Sequence, residues 1–598
     1  MSYKPVRTER WMVTKLLVDT ALGREKADFV IRNVTHVNVY TGELLEGVDI
    51  AIKGDRIALV GNAEHTIGNI TQVLDARGLY AAPGFLDGHV HIESSMLTVT
   101  QFARVVVPRG TTGVFADPHE IANVLGLEGI RLMMDEARNL PLKVYICIPS
   151  CVPASTPELE TAGAAVTAEE VEEALGWEGV VALGEVMNYP GVLLGDEEVH
   201  RKIQATLRAG KPVEGHSPGI LNAELAAYTA AGPSSCHEET RSVEAVQRLR
   251  MGMYAMMREG SGWRDLHEVV KAVTVEGLNP RRAILVSDDR HPEDLIREGH
   301  MDYIIRRAIE EGVDPVTAIQ MATLNTAEHY RLDHEVGGIA PGRKADVVLF
   351  EDLRRIRVRM VVSDGMLVAK DGVLMVRPAQ PTYPEHVRKS VRLKRPATPE
   401  DFTIKAPVEE GTVKAHVIGV EEGKAVTKHL IVDVKAEGGV VDADVDRDVI
   451  KVAVLERHKR TGNMGLGLVR GFGIRCGAVA STVAHDSHNL IVMGVDSRDM
   501  AYAVNRLAEV GGGMIAVKSG ETLALLELPI AGLMSEENAE AVSQKVEKLQ
   551  QAWRKLGCTM KSPFMNLSLL ALPVIPEIRI TDKGIVDVKQ FKTINLFL

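Results

Sequence analysis

Between residues 85 and 335 the chain keeps one rhythm, a short apolar run followed by a longer stretch of helical periodicity such as "SMLTVTQFARVVVPRG" or "VTAEEVEEALGWEG". Strands that alternate with helices pair in parallel, because each crossover returns the chain to run in the same direction. Eight runs follow in order: "APGFLDGHVH", "TTGVFADPHE", "KVYICIPS", "GVVALGEV", "KPVEGH", "GPSSCHE", "MYAMMREG" and "RAILVSDD". Eight strand–helix units predict an α/β fold, a (β/α)8 TIM-like barrel, whose working residues stand where the C-terminal strand ends converge.

The residues at those ends are not a random sample. The first run closes on His89 and His91, the second on Asp117, His119 and Glu120, and the fourth carries Glu185. The fifth closes on His216, the sixth on His237 and the eighth on Asp288 and Asp289, while the third and seventh offer little. Alternate strand residues share a face, so His89 and His91 project together with Val90 turned away. One such pair fits an incidental polar strand end. Four histidines with Glu185 and Asp288, at the ends of five runs, are a ligand set.

That mixed nitrogen and oxygen set suits Zn²⁺, Fe²⁺ or Mn²⁺. Two such ions about 3.5–4 Å apart hold a hydroxide and polarise the atom it attacks. Glu185 between them would offset their repulsion, and Asp288 would bind one ion and accept the proton of the hydroxide. The design is that of a hydrolase.

Strand character with turn signals also precedes and follows this region, in "DFVIRNVTHVNVYTGE" and "VDIAIKGDRIALVG" and again in "GGIAPGRKADVVLFE" and "RVRMVVSDGMLVAKDGVLM". The expected organisation is an N-terminal segment (1–27), a small β domain in two parts (28–80 and 336–376) and a catalytic barrel (81–335). A proline-rich linker (377–404, with Pro378, Pro381, Pro384, Pro396 and Pro399) then leads to a C-terminal α+β domain (405–598). Net charge is −12 with 25% charged residues, and no basic face that would attract nucleic acid or an anionic membrane is evident. Five scattered cysteines fit a reducing cytoplasm, and neither a signal peptide nor a membrane-spanning run is expected.

Taken with the longer motifs "HIESS", "DPHEIANVLGLEGI", "PSCVP", "EVMNYPGV" and "SDDRHPEDL", the pattern resembles the amidohydrolase superfamily and, within it, the bacterial adenine deaminase family. Many superfamily members bridge their metals with a carboxylated lysine on the fourth strand. This chain departs from that pattern with Glu185. The resemblance, which includes "STVAHDSHNLIVMG" near the C-terminus, implies two divalent metal ions, with manganese favoured, and hydrolysis of adenine to hypoxanthine and ammonia in purine salvage. It implies that His89 and His91 hold one ion with Asp288, that His216 and His237 hold the other, and that Glu185 bridges. A hydroxide between the ions then attacks C6, and Asp288 moves its proton to the departing amine.

Glu120 and His119 are candidates to protonate the ring nitrogen; alternatively, Asp117, His119 and Glu120 orient the metal histidines. Glu93, Ser94, Ser95 and Asp289 line the pocket or cap neighbouring helices. His485, His488 and Asn489 belong to a loop over the barrel mouth or to an ordinary turn. The expected partner is the small molecule adenine and the expected assembly a homodimer.

Two rival readings keep other chemistry in view. "GHSPG" at Gly215–Gly219 matches the serine-nucleophile elbow and would make Ser217 the nucleophile, leaving the histidine set without a role. A cyclic-amide hydrolase or deacetylase would use the same metal set on another substrate.

Overall fold

In the computed structural model, which describes residue 3, residues 5–379 and residues 381–598, the strand–helix rhythm forms eight parallel strands. Residues 1, 2 and 4 of the expected N-terminal segment and residue 380 of the expected linker lie outside the described residues. The strands are β1 (Phe85–Val90), β2 (Thr111–Ala116), β3 (Lys143–Ile148), β4 (Val180–Val186), β5 (Val213–Gly215), β6 (Ser235–Cys236), β7 (Tyr254–Arg258) and β8 (Ala283–Val286). β1 to β5 form one sheet in sequence order and β6 to β8 a second. Parallel bridges Val213↔Pro233 and Val90↔Asp288 join the two at both seams, so the sheet curls round on itself.

The strands are buried on both faces and read as apolar runs without alternation: all six residues of β1 and of β2 and all four of β8 are buried. Leu86, Phe115, Cys147, Ala182, Met256, Ile284 and Val286 meet inside the curl, with the Phe115 and Tyr330 rings stacked 3.7 Å apart. Gly88 is required at its position, because a Cβ there would lie 2.8 Å from Cγ2 of Ile284 on β8.

Both flanking strand blocks belong to one nine-stranded sheet. Its seam pairs Tyr80–Pro83 with Val347–Phe350, antiparallel, with Val347 opposite Pro83. The strand Tyr80–Pro83 thus carries this sheet past the expected boundary at residue 80 and leads directly into β1.

The C-terminal region builds an eight-stranded sheet covered on both faces. Helix Ser497–Val510 packs Met500, Val504 and Leu507 onto one face against Ala480, Val492 and Ile515. Helix Ala539–Leu556 places Val542, Leu549 and Trp553 in the core shared with Val452, Val479 and Met493. Asp496 and Asn538 cap the two N-termini with their side chains, and Gly511 and Gly557 close the C-termini at φ 86° and 113°. This region is seated on the strand-end side of the curled sheet: Ser535 bridges the backbone after β1 at Met96 and Thr98, and Asp582 accepts from Thr161 after β3. Among the described residues no helix is long and apolar enough to cross a membrane.

Candidate metal centre

Parallel strands that end on one side deliver their last side chains to one place, and six expected ligands meet there. His89 Nε2 and His91 Nε2 lie 3.1 Å apart, and Asp288 Oδ1 is 3.8 and 3.2 Å from them. Glu185 turns its two oxygens to different histidines: Oε2 lies 2.5 Å from His216 Nδ1 and 3.1 Å from His237 Nε2, while Oε1 lies 3.5 Å from His91 Nε2. The sets His89–His91–Glu185, Glu185–His216–His237 and His89–His237–Asp288 each bring their donor atoms within 4.8 Å of one another. His216 is the most open of the six, with a side chain 23% exposed.

Tautomers follow from the neighbours. His91 Nδ1 donates to the Asp117 carbonyl at 2.8 Å, which turns Nε2 toward the cluster, where it faces Asp288 Oδ1. So many acceptors within a few ångströms repel one another unless a proton or a cation sits among them. The donor chemistry therefore suits divalent metal binding.

The electrostatics of the metal-free side chains agree. Burial pushes the Glu185 carboxyl up, but His216 and His237 outweigh it and hold the group well below the usual carboxylate range. For Asp288 burial is likewise overcome, by the hydrogen bond from His91 and by the Arg258 guanidinium. Burial lowers His237, yet its contacts with Glu185 and Asp288 bring it up to about 9.

The Amidohydrolase family model matches residues 80–368, and the Adenine deaminase C-terminal domain model matches residues 424–592. The adenine deaminase of Moorella thermoacetica is 53% identical over 593 residues, 99% of either chain. The chain belongs to the adenine deaminase family. Another relative of that name, from Clostridium botulinum strain Langeland, is 48% identical over 589 residues, 98% of either chain. A solved structure of molinate hydrolase aligns with 60% of this chain and 98% of its own at 17% identity, with a TM-score of 0.45.

Around the six expected ligands of this family member stands a layer of hydrogen-bonding residues. Asp117 Oδ2 accepts the Glu185 amide at 2.9 Å, and Ser150, after β3, donates to the Glu185 carbonyl at 2.5 Å. His119 does not end a strand: β2 stops at Ala116, and His119 opens helix His119–Leu125 with Nδ1 3.5 Å from Glu185 Oε1. Burial pushes the Asp117 carboxyl up to about 6.

A second group lies beside the first. Ser94 donates to Glu120 Oε1 at 2.9 Å and to Asp289, and His485 Nδ1 lies 3.7 Å from Glu120 Oε1. A ring nitrogen of His488 lies within 4.8 Å of donor atoms of His485 and Glu120. Burial lowers His485, but the hydrogen bond with Asp486 and the charge of Glu120 bring it up to about 9. The segment holding both histidines is the turn between strands Ala478–Ser481 and Leu490–Gly494, and it also reaches the strand ends.

Two other expected pocket residues, Ser95 and Asn489, turn to the backbone. Ser95 Oγ turns back to the Ile92 carbonyl at 2.6 Å, and Asn489 donates to the Thr161 carbonyl at 2.8 Å. Glu93 accepts from the Ile121 amide at 3.2 Å. Glu93 thereby satisfies a free amide at a helix start, since Ile121 is the third residue of helix His119–Leu125, whereas helix Val99–Val106 starts at Thr98 without a side-chain cap and helix Pro292–Arg297 starts at His291.

Two expectations need correction. The seventh run, read as offering little, ends on Arg258, whose buried guanidinium donates to Asp288 Oδ2 at 2.8 Å and also pairs with Glu238 and Asp265. An arginine at the end of an apolar run is what a solvated strand end also shows, so the run by itself carried no signal. Ser217 is fully buried and touches Cys236 Sγ at 3.6 Å and Arg248 Nη2 at 3.4 Å; among the described residues no histidine hydrogen-bonds its hydroxyl. The serine-nucleophile reading fails on that geometry, because Ser217 lacks the base it needs.

Proposed function

We propose that this chain hydrolyses adenine to hypoxanthine and ammonia at a centre of two divalent cations set in a closed (β/α)8 barrel. The observation that carries the reading is Glu185, whose two carboxylate oxygens face opposite histidine groups as a bridging ligand requires. His89, His91 and Asp288 would hold one ion and His216 and His237 the other. Bound there, the ions supply ionised water at neutral pH and polarise the carbon it attacks.

The chain's own residues then manage protons and orientation. Asp288 keeps Oδ1 toward the cluster because Arg258 occupies Oδ2, and Asp288 would take the water's proton there and pass it to the departing amine. Asp117 and His119 act on Glu185, holding its backbone amide and flanking its Oε1, which favours the orienting role for them. Glu120 is set apart from the ligands and joined to Ser94 and His485, which favours it as the donor to the purine ring nitrogen. Ser94, Asp289, His485 and His488 complete the base pocket. A manganese-preferring, homodimeric, cytoplasmic enzyme of purine salvage, with domains at the limits given above except that the small β domain runs on to Pro83, completes the reading.

Incubating the purified protein with adenine, guanine, cytosine and adenosine in turn, and identifying products by chromatography, tests the proposal. Hypoxanthine and an equal amount of ammonia from adenine are expected. No hypoxanthine from protein that carries two equivalents of metal refutes the substrate while leaving the centre in place.

A further inference from the structure

Asp87 lies in the middle of the apolar strand β1 and is fully buried, yet none of the roles above uses it. A carboxylate taken so far from water must repay its desolvation through the contacts it makes. Its Oδ1 accepts the Ser287 amide at 3.1 Å and the His89 amide at 3.3 Å. Its Oδ2 accepts the Ser287 hydroxyl and lies 3.0 Å from His300 Nε2, whose Nδ1 is 2.9 Å from Thr111 Oγ1 on β2. One carboxylate thus grips the chain beside two ligands, His89 itself and the residue before Asp288.

Asp288 needs such a grip. Its φ is +56°, a left-handed conformation that a residue with a Cβ adopts only when its surroundings impose it. On its own two sides the backbone is tied to β1, with the Asp288 amide donating to the His89 carbonyl at 3.0 Å and the Asp288 carbonyl accepting from His91 at 3.2 Å. Ser287, held through both its amide and its hydroxyl by Asp87, sets the direction from which the chain enters that conformation. Among the described residues, the polar partners of the Asp87 carboxylate are His89, Ser287 and His300, and neither His216 nor Glu185 is one of them.

We propose that Asp87 is a positioning residue for one side of the metal centre, clamping the end of β1 to the end of β8 so that His89 and Asp288 are presented to the same cation. The inference rests on the two-cation reading. It predicts an asymmetric defect. The cation held by His89, His91 and Asp288 loses affinity, and the one held by His216 and His237 with Glu185 does not.

The test equilibrates native protein, Asp87→Asn and Ser287→Ala against buffers of graded free Mn²⁺ or Zn²⁺ and measures bound metal per chain, with thermal unfolding of the chelated proteins alongside. Asp87→Asn is expected to bind one equivalent with native affinity and the other 10–100-fold more weakly, the range for groups that orient metal ligands. Ser287→Ala, which removes the hydroxyl and keeps the amide, should show the same asymmetry with a smaller shift, and it carries the test if Asp87→Asn does not fold. Native affinity for both equivalents in both variants overturns the proposal. So does a parallel loss of both equivalents, the signature of general destabilisation. Fewer than two equivalents in native protein refutes the two-cation reading itself, and this assignment with it.

Discussion

Replacing Arg258 by methionine should destabilise the protein by about 3 kcal/mol and raise the pH at which it loses activity on the acid side. The guanidinium is 3% exposed and is shared by three carboxylates, Asp288, Glu238 and Asp265, whose side chains are 7, 19 and 18% exposed. Removing one partner of a buried ion pair costs about 3–5 kcal/mol, because the other charge stays buried. The low end applies here, since Glu238 and Asp265 keep some water contact. Burial pushes Glu238 up and Arg258 brings it below the usual range; for Asp288 the His91 hydrogen bond and Arg258 together outweigh burial. Carboxyls held low in this way contribute stability above their unfolded pKa and lose it as pH falls through the folded value. Without Arg258 the folded values rise, so the loss begins at higher pH. Urea denaturation of chelated protein at pH 7 and pH 5 reads the stability, and the kcat/KM profile reads the acid limb. A lysine keeps the charge but not the fork, and Arg258→Lys should fall between native and methionine. A loss below about 1 kcal/mol with an unmoved acid limb refutes the assignment.

Other outcomes follow from the same geometry. Glu185→Gln removes the charge between the two histidine groups and should cut kcat by at least about 1,000-fold, since one unit charge at 4 Å is worth about 4 kcal/mol at an effective dielectric constant of 20; a metal assay run in parallel should show reduced uptake, and near-native activity contradicts the bridging role. Ser217→Ala should retain kcat within about twofold and the native protein should resist phosphonate labelling, whereas inactivation by either route revives the serine reading. His485→Asn removes a group brought up to about 9, so the native activity should decline as pH rises through that region and the variant's basic limb should lose this dependence; identical basic limbs place His485 outside the reaction.

The convergence of His89, His91, Glu185, His216, His237 and Asp288 was legible because parallel strands end on one side and each ligand stood at a strand end. The pairing of the two flanking strand blocks was legible from their similar character. Three things were not. Arg258 ends its run as a solvated strand end would, and only the positions of Glu238, Asp265 and Asp288 around it reveal an ion-pair hub. Asp87 is hidden inside an apolar run, where a carboxylate reads as a turn or an irregularity until Ser287 is found against it from 200 positions away. Ser95 and Asn489 shared the composition of the pocket segments but not their direction, since a one-residue step in a tight turn swings a side chain from the cavity to the backbone behind it. Direction in turns depends on φ and ψ, and residue types alone do not set those.

The central claim is that the strand-end cluster is a two-cation centre that deaminates adenine. Ammonia release from adenine, followed before chelation, after chelation and during stepwise return of Mn²⁺, Fe²⁺ or Zn²⁺, tests it most directly. The account predicts an inactive stripped protein whose activity returns in full as bound metal reaches two equivalents per chain. Full activity in the stripped protein, or full recovery at one equivalent, contradicts it.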